Sequence, residues 1–291
     1  MKSQTLKHYL VLCKFNIAFW NGFAAAVTYV VAKGQLDFAA LIPFIGVLIL
    51  ASGALILNQY QEIPFDGMME RTRERPLPTK KITPKNALIL STAFFLVGEI
   101  ILYLESGMLA VTFGCLAVFF YNFIYTPLKR KSLMIAIPSS LVGVFPPLIG
   151  WAAGDGSWTH AAIYGIATFF FFWQIPHFLL LYRLYVKDYQ KAGFGIMVGL
   201  TDQSLSQAIL GGIALSLLSA ACFPFWEVFK QTWICALFLL GSTIMLWFVR
   251  PLMKKSIAGW SSRPIFITFN LWVAGVMILM LLDSAFSSHP L

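Results

Sequence analysis

Long uncharged apolar runs recur along the whole chain. Those able to span a bilayer, which takes roughly 20 residues at a rise of about 1.5 Å each, are residues 15–32, 38–57, 87–104, 108–128, 133–154, 161–182, 205–226, 231–249 and 265–282. Glu99 interrupts the third. Hydrocarbon offers the backbone no hydrogen-bond partners, so runs of this length close their bonds internally as helices. A membrane β-barrel would show short alternating segments instead. The expectation is an all-α polytopic membrane protein: one domain over residues 1–291, nine transmembrane helices in a bundle around a central cavity. Composition agrees: 59% of residues are hydrophobic and 11% charged, against about a quarter charged in soluble domains. A soluble enzyme is excluded.

The basic residues set the orientation. Lys2, Lys7 and Lys14, the cluster from Arg71 to Lys85, Lys129, Arg130 and Lys131, Arg183, Lys187 and Lys191, and Arg250, Lys254, Lys255 and Arg263 all fall on the amino-terminal side of this topology. Lys33 and Lys230 are left for the other side. The positive-inside rule therefore places the amino terminus in the cytoplasm and, after nine spans, His289 and Leu291 outside. The net charge of +9 is accounted for by topology, and no nucleic-acid partner is implied. The start of the chain shows no cleavage site and no Arg- and Ser-rich transit segment, which favours a bacterial cytoplasmic (inner) membrane. The four cysteines lack paired spacing and read as small packing residues.

Two of the basic loops also carry acids. After the second run the chain reads Asn58, Glu62, Asp66 and Glu70 at intervals of four. On a helix these share one face. Like charges so placed repel, unless a divalent cation joins them. Mg²⁺ suits carboxylate and amide oxygens and commonly adds substrate phosphates, and Arg71, Arg73 and Arg75 could grip phosphate oxygens. The competing explanation is a solvated helix end with its own salt bridges. Pro64 should kink or end the helix.

Lys129 and Arg130 are either a topogenic cluster or a second phosphate clamp. Gln174 and His177 lie inside the sixth run, where polar residues mark function or an interhelical hydrogen bond. Asp188, beside Lys187, is either a second cation ligand or an ordinary loop acid. Pro146 and Pro147 in the fifth run serve close packing or a substrate channel. No internal repeat of the kind common in transporters is evident.

Together these segments resemble the UbiA-type intramembrane prenyltransferases, over about residues 10 to 285. The resemblance rests on Asn58-x-x-x-Glu62-x-x-x-Asp66 with Glu70-Arg71-Thr72-x-x-Arg75-Pro76, and on Tyr125-Thr-Pro-Leu-Lys129-Arg130. It rests further on Gly143…Pro146-Pro147-Leu-Ile-Gly150, and on Trp173-Gln174-Ile-Pro176-His177-Phe178 with Lys187-Asp188-Tyr189. The chain carries Glu62 and Pro64 where that family usually has aspartates, and a lone Asp188 where a pair is usual. The branch it is most similar to is the one that farnesylates protohaem IX.

The resemblance implies farnesyl transfer from farnesyl diphosphate to a vinyl group of protohaem IX, giving haem O and diphosphate. It implies Mg²⁺ on Asn58, Glu62, Asp66 and Asp188. Arg71, Arg75, Tyr125, Lys129, Arg130, Gln174, His177 and Lys187 are then the substrate-binding set. Apart from the lipid bilayer, partners would be haem-pathway or oxidase-assembly proteins. The alternatives are prenylation of an aromatic quinone precursor, or a non-catalytic haem or lipid transporter.

Overall fold

The computed structural model describes residues 2–130, 136–194, 201–253 and 262–287. Lys131, Lys254, Lys255, His289 and Leu291, which entered the topology argument, and residues 133–135 of the fifth run lie outside the described residues. Within them the chain is helical. The elements are α1 (Lys2–Cys13), α2 (Phe15–Lys33), α3 (Leu41–Gln61), α4 (Ile63–Asp66), α5 (Pro84–Val118), a π-helix (Phe119–Tyr125), α6 (Thr126–Leu128), α7 (Ala136–Ala153), α8 (Ala161–Leu184), α9 (Val186–Lys191), α10 (Asp202–Ala221), α11 (Thr232–Val249) and α12 (Arg263–Phe286).

Among the described residues, eight segments are long and apolar enough to cross a membrane. The fifth expected run forms α7, whose apolar part, Ser139–Ala153, falls short of that length among the described residues. The third and fourth runs are the two arms of α5, Pro84–Leu104 and Ser106–Leu128, the second arm running on through the π-helix and α6. They separate at Gly107, whose φ of 74° is a conformation open to glycine. Glu99 turns towards the other arm, beside Gly114.

One run ends earlier than expected. The seventh was read to residue 226, but α10 stops at Ala221. Pro224 has no N–H to continue the ladder, and the chain turns so that Phe223, Val228 and Phe229 enter the core.

The helices pack side by side: α5 along α3, α2 against α3 and α7, α7 against α5 and α8, α10 against α8, and α12 against α11, α2 and α8. The deepest layer is aromatic. Phe169, Phe223 and Phe269 are fully buried. Ring centroids lie 5.5 Å apart between Phe169 and Phe223, and 5.8 Å between Phe169 and Trp272. Leu96, Leu104, Met108, Leu218, Leu239 and Leu271 face outwards, exposed, as side chains turned to lipid do.

Close approach of α2 and α7 depends on Gly150. A Cβ there would fall 1.9 Å from the Ala25 carbonyl oxygen. At one end of the bundle, the connection between α4 and α5 is pinned by buried Met69, Leu77 and Ile82. It is therefore an ordered surface, and it carries the site.

Candidate active site

The expected kink is present. Helix α3 ends at Gln61, Glu62 has left helical geometry at φ −104°, and Pro64 sits in the first turn of α4. The four-residue acidic ridge is therefore corrected. Asn58, Glu62 and Asp66 are 2%, 3% and 1% exposed, whereas Glu70 is exposed, beyond α4 and outside any helix. The break at Glu62, just ahead of Pro64, re-aims the chain, so the i+4 rule stops applying after Glu62.

The end of α3 is stitched to the π-helix. Asn58 Nδ2 donates to Thr126 Oγ1 at 3.1 Å, and that hydroxyl donates to the Tyr121 carbonyl at 2.8 Å. Asn122 Nδ2 donates to the Ala54 carbonyl at 2.9 Å, and Gln61 Nε2 to the Asn122 carbonyl at 3.1 Å. π-Helical turns are uncommon and gather at functional sites. This one delivers Tyr125, Lys129 and Arg130 to the acids.

Glu62 and Asp66 each have a cation. Glu62 pairs with Lys129, and Asp66 Oδ2 pairs with Arg75 at 2.7 Å. Burial pushes the Glu62 carboxyl up, but Lys129 first, then Lys14 and Arg75, outweigh it and hold the group below the usual range. Arg130 donates to the Gln61 carbonyl at 3.1 Å and lies 4.0 Å over the Phe65 ring. Lys129 is 5.6 Å from the Tyr125 centroid. Arg71 stacks 4.6 Å over Tyr185.

Asp188 reaches the loop between α4 and α5. Its two oxygens accept from the backbone N–H groups of Glu70 and Arg71, at 3.2 and 3.1 Å. It clamps the loop that carries Arg71. Among the described residues no three His, Cys, Asp or Glu side chains are grouped to hold a metal. Yet Asp66 Oδ1 is buried without a hydrogen-bond partner, and a buried acceptor left open is costly. Two buried carboxylates and an amide match the way Mg²⁺ binds when phosphates complete its shell. The residues present therefore fit that ion.

A cavity of about 550 Å³ opens beside the clamp, lined by Glu70, Arg71, Arg183, Tyr185, Lys187 and Asp188 among others. Arg183 is tied to Ser206 Oγ at 2.9 Å. Gln174 and His177 stand apart. His177 is seven residues, about 10 Å, back along α8 from Leu184. Gln174 packs on Gly143 of α7, and His177 Nδ1 meets Asn270 Oδ1 at 2.8 Å.

One charged residue of the site escaped the sequence reading. Lys14, counted there as a topogenic lysine, joins α1 to α2 in a left-handed conformation, φ 46°. Its charge couples to Arg75, Glu62, Lys129 and Asp66. Burial first, and then Arg75, pushes its ammonium down to about 7. Its interruption of the apolar pattern was the available signal. Thr126 and Asn122 were missed too, since nothing local marks a hydroxyl or amide as a brace.

A helical bundle with an apolar exterior, and at one end a buried group of two carboxylates ringed by lysines and arginines, defines a membrane-embedded enzyme that handles a diphosphate ester. The chain belongs to the UbiA prenyltransferase family, whose model matches residues 18–274. It is 34% identical over 235 residues to the protoheme IX farnesyltransferase of Geobacter sulfurreducens, covering 79% of this chain and 87% of the relative. It is 30% identical over 260 residues to the human mitochondrial protoheme IX farnesyltransferase, covering 88% of this chain and 57% of the relative. The fold resembles that of a digeranylgeranylglyceryl phosphate synthase, with TM-score 0.76, 14% identity and coverage of 97% and 99% of the two chains. It also resembles a UbiA homologue of Archaeoglobus fulgidus bound to GPP and Mg²⁺, with TM-score 0.69, 15% identity and coverage of 94% and 99%.

Proposed function

We propose that this chain transfers the farnesyl group of farnesyl diphosphate to a vinyl group of protohaem IX, with water completing the product as haem O and diphosphate leaving. The observation that carries the reading is the buried pairing of Glu62 with Lys129 and Asp66 with Arg75 at the mouth of an apolar bundle. Such pairs hold cations ready for a more highly charged anion. Asn58, Glu62 and Asp66 would hold Mg²⁺, which when bound neutralises the diphosphate.

Arg71, Arg75, Lys129, Arg130, Lys14 and Lys187 bind the two phosphates and stabilise the charge that grows as the carbon–oxygen bond breaks. Tyr125 backs Lys129. Asp188 holds the Glu70–Arg71 backbone so that Arg71 faces the cavity. The apolar helices take the prenyl tail and keep water from the allylic cation until the vinyl π electrons reach it. Gln174 and His177 belong to the haem side. The bundle has nine spans around a central cavity in a bacterial inner membrane, with the amino terminus and the site on the cytoplasmic face. Farnesyl diphosphate, protohaem and the bilayer are its partners, with haem-pathway or oxidase-assembly proteins downstream.

The test uses purified full-length protein in lipid nanodiscs with Mg²⁺, protohaem and farnesyl diphosphate. The expected product is haem carrying a hydroxyethylfarnesyl group, seen by mass. Asp66→Ala should lose turnover while the protein remains folded. Unchanged haem sinks the reading; prenylation of an aromatic acid instead would point to a quinone-precursor enzyme.

A further inference from the structure

His177 has one ring nitrogen committed and one open. Nδ1 lies 2.8 Å from Asn270 Oδ1. The amide of Asn270 is not free to turn, because its Nδ2 donates to the Phe266 carbonyl, one turn back on α12, at 2.7 Å. Flipping it would set oxygen against oxygen. With the acceptor fixed, Nδ1 must carry the hydrogen, since the partner on a histidine's committed nitrogen sets the tautomer. Nε2 is then a lone pair, and among the described residues it has no hydrogen-bond partner. Trp173 and Phe266 hold the ring, each with its ring centroid 5.1 Å from that of the imidazole. One turn back on the same face of α8, Trp173 Nε1 is buried and also lacks a hydrogen-bond partner. An open lone pair and an open N–H one turn apart suit a ligand with a Lewis-acidic centre and an acceptor at its edge. A porphyrin iron with its carboxylates is such a ligand.

We infer that Asn270 is a positioning residue that holds His177 as the Nδ1–H tautomer, so that Nε2 serves as the axial ligand to the iron of the haem substrate. The inference rests on the reading under "Proposed function". It adds that the enzyme recognises the metal as well as the macrocycle. A hydrogen bond from the far nitrogen raises the basicity of a metal-bound imidazole. Here the acceptor is a neutral amide, which gives a modest donor and a haem held without strong electron release.

Ferric protohaem titrated into the full-length chain in nanodiscs, without farnesyl diphosphate, decides it. Wild type should show the Soret band of histidine-ligated haem. His177→Ala should lose that band, bind haem at least tenfold more weakly, and regain the band with added imidazole. Iron-free protoporphyrin IX should bind wild type and His177→Ala alike, which also shows that the variant is folded. Asn270→Asp, with a charged acceptor, should keep ligation and lower the reduction potential of the bound haem. Asn270→Leu should weaken ligation. A merely structural role would give neither imidazole rescue nor a shifted potential. A His177→Ala spectrum and haem affinity equal to wild type, or an unchanged potential in Asn270→Asp, would overturn the inference. Failure of the wild type to farnesylate haem would instead sink the preceding reading, because ligation is measured without the prenyl donor.

Discussion

Asp66 and Arg75 meet at 2.7 Å with side chains only 1% and 17% exposed, and this one contact governs two properties. Removing one partner from a buried pair leaves the other charge in a poor solvent, at a cost of about 3 kcal/mol or more. Arg75→Ala should therefore lower the melting temperature and also raise the KM for the prenyl diphosphate. The Asp66→Ala/Arg75→Ala double variant should melt above the sum of the single losses; simple additivity in a thermal-melt cycle would show that the pair does not stabilise the protein. Lys14 brings a pH signature. Its folded pKa lies near 7, below that of a free lysine. Its ammonium is present below that pH and lost above it. Affinity for the diphosphate should fall as pH rises through about 7. Lys14→Arg, charged throughout, should flatten that limb of the binding curve. A wild-type profile level from pH 6 to 9 would remove Lys14 from the site.

The helix boundaries followed local chemistry closely. Residues 15–32 were expected and Phe15–Lys33 is found, and residues 231–249 correspond to Thr232–Val249. Apolar length and helix-ending residues are properties of neighbours in the chain, so they can be read there. The ridge from Asn58 to Glu70 misled for the same reason. Its period assumed an unbroken helix, and Pro64 rotates Asp66 onto a new one and leaves Glu70 outside. The α2–α7 contact tests how far packing at this scale is rigid. Gly150→Ala would put a methyl group 1.9 Å from a backbone oxygen that cannot move alone. The cost should reach about 3 kcal/mol, the upper range for overpacking. Gly241→Ala in α11, where a Cβ meets nothing within 4 Å, should leave the melt unchanged. Equal melting of the two variants would show that α2 and α7 part easily.

The whole molecule joins two demands: an exterior that satisfies hydrocarbon, and a charged end that satisfies a phosphate ester. The proposed orientation puts Lys81 and Ser157 on opposite sides. In a cysteine-free background, Lys81→Cys should react with an impermeant maleimide in inverted membrane vesicles, and Ser157→Cys in right-side-out ones. Labelling of both in one preparation would break the nine-span topology. The class of fold, the apolar runs, the asymmetric charge and, Lys14 apart, the acids and bases of the proposed site could be read from the chain alone, because each depends on what a residue is and on its near neighbours. Which partner each charge takes could not be read. Glu62 finds Lys129 across 67 positions, Asp188 closes on the backbone of Arg71 across 117, and Lys14 arrives from the junction of α1 and α2. Those meetings are set by how helices pack after they form. In a buried site the identity of the nearest opposite charge, more than the presence of a charge, decides what a carboxylate does.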